Sequence, residues 1–152
     1  MDKTISSGLR NLFLIHAVVG VLVGIPLWLI PGRFLLLVGW VPAMVELPQS
    51  KLSVPGPTFV DEVITRLLGA LLVALAVSSF LGYRAKKWEQ VELVVRLEAV
   101  SCVLGCISVI VTGLFFLDRP MPSFGWAVAA VLAVFGLAWV LAMRTRAARS
   151  PV

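Results

Sequence analysis

Residues 91–117 form the longest apolar run of the chain, which reads VELVVRLEAVSCVLGCISVIVTGLFFL. Three further runs cover residues 12–30, 67–83 and 124–143, and each is close to the roughly 20 residues with which a helix crosses a bilayer. Hydrocarbon offers no water to backbone N–H and C=O groups, so such spans must satisfy these groups internally as helices. The sequence therefore predicts an all-α fold, in which residues 1–152 form a single four-helix transmembrane domain of a multi-pass membrane protein.

The composition supports the same class of protein. Apolar residues make up 60% of the chain, charged residues only 14%, and the mean hydropathy is +1.02, whereas soluble domains carry about 25% charged residues. A net charge of +5 would suggest nucleic-acid binding in a soluble protein. Here the basic residues border the apolar runs, where anionic lipid headgroups and topology account for them. We expect the lipid bilayer as a partner, and no nucleic acid.

The distribution of basic residues predicts the topology. With four spans, the two termini and the second connection share one side of the membrane, and Lys and Arg collect on the cytoplasmic side. That shared side carries Lys3, Arg10, Arg84, Lys86, Lys87, Arg144, Arg146 and Arg149, against Arg33, Lys51, Arg66 and Arg119 on the other. We expect a plasma-membrane protein with cytoplasmic N- and C-termini.

The first connection, residues 31–66, differs from the other two by its length. It contains five prolines, so it cannot be one continuous helix. Residues 33–41 are nearly as apolar as a span but too short to cross, which predicts an interfacial or re-entrant segment. Residues 49–57 are expected to form an irregular loop, whereas residues 118–123 make a tight turn. The long connection is interpreted either as a functional lid or as a segment that only seals the bundle.

Small residues recur at helical spacing in three of the runs. Such residues let membrane helices approach closely, so we predict a tightly packed bundle that can associate further, with a partner or with itself. The predicted packing positions are Gly20, Gly24, Ala70, Ala74, Ala133 and Gly136, together with the related Ser78, Gly82 and Ala129.

The third run carries a polar stripe in addition. Its members fall on one helix face at steps of three and four, with Cys102 beside them: Glu98, Ser101, Gly105, Ser108 and Thr112. An ionisable residue inside a membrane span is a functional candidate by default. The expected partner of Glu98 is His16, the chain's one histidine, because the two have similar predicted depths. Ser78 and Ser79 fall near the same level. The predicted intramembrane site consists of His16, Glu98, Ser78, Ser101 and Cys102.

Three interpretations of this group are open. It could be a structural polar knot, a proton-relay or substrate-binding site, or a metal or haem site. Cys102 and Cys106 supply ligand types, but no recognised ligand spacing is present, so neither a metal nor a cofactor is predicted. The two cysteines lie four apart on one helix, which suits a disulfide poorly, and we expect both to be reduced.

Asp61, Glu62 and Arg66 form a second charged group, before the second run. Thr58 is the expected N-cap of that helix, with Asp61 completing a variant capping box. Arg66 is expected to pair with Glu62 at the i, i+4 spacing. Helix capping explains these residues without a catalytic role.

The stretch from Asp61 to Arg66-Leu67-Leu68-Gly69-Ala70, the basic turn around Arg84 and a third span that opens with charges resemble small bacterial four-helix DoxX-like membrane proteins. Members of that group are mostly uncharacterised, and the resemblance implies an accessory subunit of a membrane system. We accordingly expect a non-catalytic accessory or structural subunit that packs against a larger complex or against itself. The alternative is a small transporter or membrane enzyme that handles a lipophilic substrate through His16 and Glu98.

Overall fold

The computed structural model describes residues 4–47, 50, 52–117 and 120–147, without the side chains of residues 146 and 147. Four helices in this part of the chain are long and apolar enough to span a membrane, which confirms the all-α four-helix prediction. The regular elements are α1 (Ser7–Leu29), α2 (Pro31–Leu37), β1 (Met44–Glu46), β2 (Ser53–Pro55), α3 (Glu62–Arg84), α4 (Glu92–Val111) and α5 (Ser123–Ala147). A π-helical turn, Thr112–Phe116, extends α4.

Capping residues place the ends of the long helices. The Ser6 side chain accepts from Leu9 N at 3.3 Å, so α1 begins five residues before its apolar run. The N-cap of α3 is Asp61, whose carboxylate accepts from Ile64 N at 3.0 Å. The prediction of Thr58 as this cap was wrong, because Thr58 lies in the preceding 3-10 turn and its hydroxyl donates to the Pro55 carbonyl.

The helices associate as two antiparallel pairs, α1 with α3 and α4 with α5. Between α1 and α3 the backbones lie close together at glycines. A Cβ atom added to Gly69 would lie 2.4 Å from Trp28 N and 2.8 Å from the Gly24 carbonyl oxygen, and one on Gly20 would lie 3.0 Å from Ala76 Cβ. The lack of a side chain at these positions therefore sets the helix spacing.

Arg66 joins the same two helices at one end. Its guanidinium donates to the Trp28 and Leu29 carbonyls at 2.8 and 3.2 Å, which satisfies backbone oxygens that the end of α1 leaves without intrahelical partners. Arg66 also pairs with Glu62 at 3.2 Å, as the i, i+4 spacing predicts.

The other end of the bundle, which we call the basic end, brings the N-terminus to the α3–α4 connection. Ile5 N donates to the Lys86 carbonyl at 3.2 Å, and Arg10 donates to the Ala85 carbonyl at 3.2 Å. The N-terminal segment and the α3–α4 connection therefore lie at the same end of the bundle, as predicted. Of the basic residues used for the topology, Lys3, Lys51, Arg119, Arg149 and the side chain of Arg146 lie outside the described residues.

The first connection folds over the end opposite the basic end. Helix α2 follows α1 directly and ends before Gly39, which has a φ of +73° that suits a helix C-terminus. Phe34 of α2 meets Phe124 of α5 edge-on, with ring centroids 5.9 Å apart. Residues 33–41 thus form a short helix and a turn, and they connect the two helix pairs.

The expectation of an irregular loop over residues 49–57 was partly wrong. Residues 53–55 form β2, which pairs antiparallel with β1, and Val45 lies opposite Val54. Residues 56–59 continue as a 3-10 turn. Residues 49 and 51 of that loop, and residues 118 and 119 of the predicted tight turn, lie outside the described part of the chain.

Candidate functional site

His16, Ser79 and Glu98 form a hydrogen-bonded chain across three helices, which we call the polar cluster. His16 Nδ1 and Ser79 Oγ are 2.9 Å apart, and the Ser79 hydroxyl donates to Glu98 Oε1 at 2.8 Å. His16 Nδ1 also lies 3.5 Å from Glu98 Oε2. The structure thus brings together His16 and Glu98, which the sequence placed at similar depths in the membrane, and Ser79 lies between them.

The protonation state of Glu98 decides which groups of the polar cluster donate hydrogen bonds and which accept them. If Glu98 is ionised, the Ser79 hydroxyl donates its one hydrogen to the carboxylate, so that His16 Nδ1 carries a hydrogen and donates to Ser79 Oγ. A neutral imidazole in this tautomer keeps its lone pair on Nε2. If the carboxyl group of Glu98 is protonated instead, the same three groups can be bonded with every donor and acceptor reversed. The polar cluster can therefore hold a proton on His16 or on Glu98.

Two of the three members of the cluster are buried within the bundle. Ser79 is 0% exposed and Glu98 is 1% exposed, and the His16 side chain is 13% exposed. Glu98 Oε2 is buried without a hydrogen-bond partner of its own. The cluster can hold protons and join helices, but Ser79 and Glu98 present no surface to a large substrate.

Two aromatic rings of α5 pack against the imidazole. The His16 ring meets the edges of Phe135 and Trp139, with centroids 4.8 and 5.9 Å apart. Trp139 is fully buried and in turn packs against Phe13 at 4.9 Å. The sequence interpretation did not include these aromatics, although the i, i+4 spacing of Phe135 and Trp139 places both on one face of α5.

The face that α4 turns inward differs from the predicted polar stripe. Its buried residues are Val95, Glu98, Ala99 and Cys102, so Glu98 and Cys102 do lie on the interior side. Ser101 is half-buried at the flank, and Ser108 is exposed. Gly105, against Leu132, and Thr112 are half-buried as well. The predicted stripe therefore flanks the buried face, which the apolar Val95 and Ala99 share with Glu98.

The serine of the cluster is Ser79 and not Ser78, which was the residue named in the predicted site. Ser78 is half-buried and lines a surface groove at the basic end. One residue of helix turns a side chain by about 100°, so neighbouring serines at the same depth face different surroundings. Depth alone could not separate them.

Three of the predicted packing positions lie at helix contacts and two do not. Gly20 and Gly24 face α3, and a Cβ on Gly136 would lie 3.6 Å from Cys102 Cβ. Ala74 and Ala133 are exposed, so neither packs inside the bundle of this chain. Ala70 is half-buried.

The buried small residues of α3 and α5 coincide with the predicted ones only in part, at Gly82, Ala129 and Gly136. The buried members of α3 are Gly69, Ala76, Ser79 and Gly82, and on α5 Ala129 is buried at 5% exposure. Small residues occur on several sides of these helices, so spacing alone could not select the side that packs.

Cys102 and Cys106 are both free cysteines, as predicted. Cys102 is buried, and Cys106 is half-buried with its thiol 3.5 Å from the Ala129 carbonyl oxygen. Within the described residues, no three His, Cys, Asp or Glu side chains are grouped so that they could hold a metal ion.

Two grooves lie on the described surface of the bundle. No residue of the polar cluster lines either of them. The larger, of about 620 Å³, lies between α3 and α4 at the basic end, and its lining includes Leu81, Arg84, Lys86 and Val94. The second, of about 440 Å³, lies between α4 and α5, along Val100 and Val140.

No protein-family model, curated protein or solved structure matches this chain. The DoxX-like resemblance therefore stays a prediction.

Proposed function

We propose that this protein is a non-catalytic structural or accessory subunit of a membrane system, of the kind that the DoxX-like resemblance implies. The observation that carries the proposal is the closure of the polar cluster, since Ser79 and Glu98 are almost fully buried. A carboxyl group that is bonded to a serine and packed among helices is well placed to fix helix positions. It is poorly placed to meet a substrate.

The bonds of the cluster join the two helix pairs to each other. Ser79 belongs to the α1–α3 pair, and Glu98 belongs to the α4–α5 pair. Interhelical hydrogen bonds between polar side chains are one of the forces that associate membrane helices. The cluster would thus give the subunit a fixed outer surface.

That outer surface carries small residues where a second protein can approach. Ala74 on α3 and Ala133 on α5 are exposed, and small residues on membrane helices permit close backbone contact with another helix. The partner is then a larger membrane complex or a second copy of the chain.

The basic end supports an orientation within the membrane. This end carries five basic residues: Arg10, Arg84, Lys86, Lys87 and Arg144. Lys and Arg favour the cytoplasmic side of a membrane. We propose a plasma-membrane protein with both termini in the cytoplasm.

One observation favours a second function, in which the cluster transfers protons or binds a lipophilic substrate. Glu98 Oε2 is buried without a hydrogen-bond partner, and the three-residue chain can carry its proton at either end. A small transporter or membrane enzyme would use such a group. It would also need a path to His16, the member of the cluster with the most exposed side chain.

Native mass spectrometry from mild detergent tests the subunit proposal. Recovery of the protein with a stoichiometric membrane partner, or as a defined oligomer, is the expected result. An isolated monomer that retains a bound lipophilic small molecule would contradict it.

A Glu98→Gln variant separates the two functions. The amide oxygen can still accept from Ser79, so we expect the free energy of unfolding to change by about 1 kcal/mol or less, with the assembly unchanged. Proton flux into proteoliposomes, followed with an enclosed pH-sensitive dye, is expected to be equal for the original protein, Glu98→Gln and empty liposomes. Glu92→Gln, on an exposed turn of the same helix, is the matched control. A flux that Glu98→Gln abolishes and Glu92→Gln retains would overturn the structural role.

A further inference from the structure

The groove between α3 and α4 at the basic end combines two kinds of surface. Leu81 and Gly82 of α3 and Val91 and Val94, before and within α4, form apolar walls. Arg84 and Lys86 belong to its lining, and none of the described lining residues is acidic. The groove is therefore apolar toward the bundle and positive at its mouth.

The basic turn is held in place by backbone hydrogen bonds. The Gln90 side-chain oxygen accepts from the backbone N–H groups of Lys86 and Lys87, both at 3.1 Å. Ile5 N donates to the Lys86 carbonyl from the other side. The Lys86 side chain thus projects from a fixed backbone, which lowers the entropy lost when it binds an anion.

The nearest acidic residue on α4 is engaged elsewhere. The carboxylate of Glu92 pairs with Arg96 one turn further along the same helix. Glu89, in the turn itself, is exposed and does not line the groove. Neither of these carboxylates, among the described residues, pairs with Arg84 or Lys86 at the mouth.

The two surfaces occur in the order in which a bilayer presents headgroup and hydrocarbon. Arg84 is the last residue of α3, and Leu81 lies one turn further into the span. Basic pockets between membrane helices on the cytoplasmic side bind anionic lipid headgroups. A free phosphate would use the mouth but leave the apolar walls empty.

We propose that this groove binds one anionic phospholipid. Its phosphate is held by Arg84 and Lys86, and the first part of an acyl chain lies along Leu81 and Val94. The proposal is independent of the polar cluster and of any protein partner, because none of these four residues contributes to the cluster.

Titration with phosphatidylglycerol and phosphatidylcholine, read by native mass spectrometry in mild detergent, tests this site. We expect one tightly bound phosphatidylglycerol and no matching phosphatidylcholine. Each basic residue near a membrane surface changes the affinity for anionic lipid about fivefold. The double variant Arg84→Gln/Lys86→Gln should therefore bind phosphatidylglycerol about 25-fold more weakly.

The double variant Arg33→Gln/Arg144→Gln removes the same charge at exposed positions outside the groove and should retain the tight site. Circular dichroism and gel filtration establish that both double variants are folded. Leu81→Asn, which makes one exposed wall residue polar, provides a second variant with the charge unchanged, and it should also weaken phosphatidylglycerol binding. Equal loss in both charge variants, equal binding of the two lipids, or displacement of the lipid by an equal concentration of inorganic phosphate would each overturn the proposal.

Discussion

The contact between α1 and α3 and the contact between the two helix pairs are built in different ways. Along α1 and α3 the backbones meet at glycines, so that a Cβ on Gly69 would collide with the backbone of α1. Between the pairs, Ser79 bonds to Glu98 and the aromatic Trp139 packs on Phe13. The first contact depends on the absence of side chains, and the second depends on particular side chains.

The distance between two helices and the way in which the helix pairs face each other thus have different causes. Close approach brings dispersion contacts to any two helices that carry small residues, and α1 and α3 are already joined by the chain through the first connection. A buried carboxyl group needs a hydrogen-bonding partner, and in this bundle only a defined placement of α4 against α1 and α3 supplies one. We infer that glycines set the spacing within a pair and that the polar cluster sets how the pairs face each other.

Gly69→Ala is expected to have the largest effect on the fold. The added methyl group would lie 2.4 Å from Trp28 N, and backbone atoms cannot move aside as a flexible side chain can. Overpacking of this kind costs about 3 kcal/mol or more. Unfolding in SDS titrations, followed by circular dichroism, should show the loss.

Gly8→Ala is the matched control, because a Cβ at Gly8 meets nothing within 4 Å. Alanine is the better helix former by about 1 kcal/mol, so Gly8→Ala should be neutral or slightly stabilising. If Gly69→Ala were as stable as Gly8→Ala, the close approach of α1 and α3 would not be needed for the fold.

Ser79→Ala is expected to have an intermediate effect. It removes the hydroxyl that links His16 to Glu98 and leaves two buried polar groups without that partner. Hydrogen bonds between membrane helices contribute about 0.6 to 1.7 kcal/mol, so we expect a loss of about 1–2 kcal/mol, smaller than for Gly69→Ala.

Ser78→Ala tests the same prediction with the neighbouring serine. Ser78 is half-buried at the groove and is not bonded to the cluster, so its free energy of unfolding should change by less than about 0.5 kcal/mol. Equal losses in the two variants would show that the bond from Ser79 to Glu98 does not join the helix pairs.

The four spans could be predicted from the sequence because the length of an apolar run is a property of the run alone. The partnership of His16 with Glu98 was also accessible, since basic residues near the helix ends fix approximate depths. Helix rotation was not accessible to the same degree. The choice of Ser79 over Ser78, and of Ala129 over Ala133, depends on which side chains of another helix fill the space beside them.

The small elements of the first connection were the least predictable. The β1–β2 pair is only three residues long on each side, too short for an alternating pattern to stand out among prolines. The aromatic side of the polar cluster was missed for a different reason. Phe135 and Trp139 lie within an apolar run, where any large residue can face either lipid or protein.

Ala133→Leu changes the outer surface of α5, and it is expected to have the smallest effect on the isolated bundle. Ala133 is exposed on α5, whereas Ala129 is 5% exposed and its carbonyl oxygen accepts from Cys106. In SDS titrations Ala133→Leu should change the free energy of unfolding by less than about 0.5 kcal/mol, while Ala129→Leu should lose about 2 kcal/mol by overpacking. A large loss at Ala133 would mean that α5 is rotated relative to α4. If Ala133→Leu leaves the fold intact but abolishes the partner-bound or oligomeric form in native mass spectra, α5 offers to a second protein the same close approach that Gly69 offers to α1.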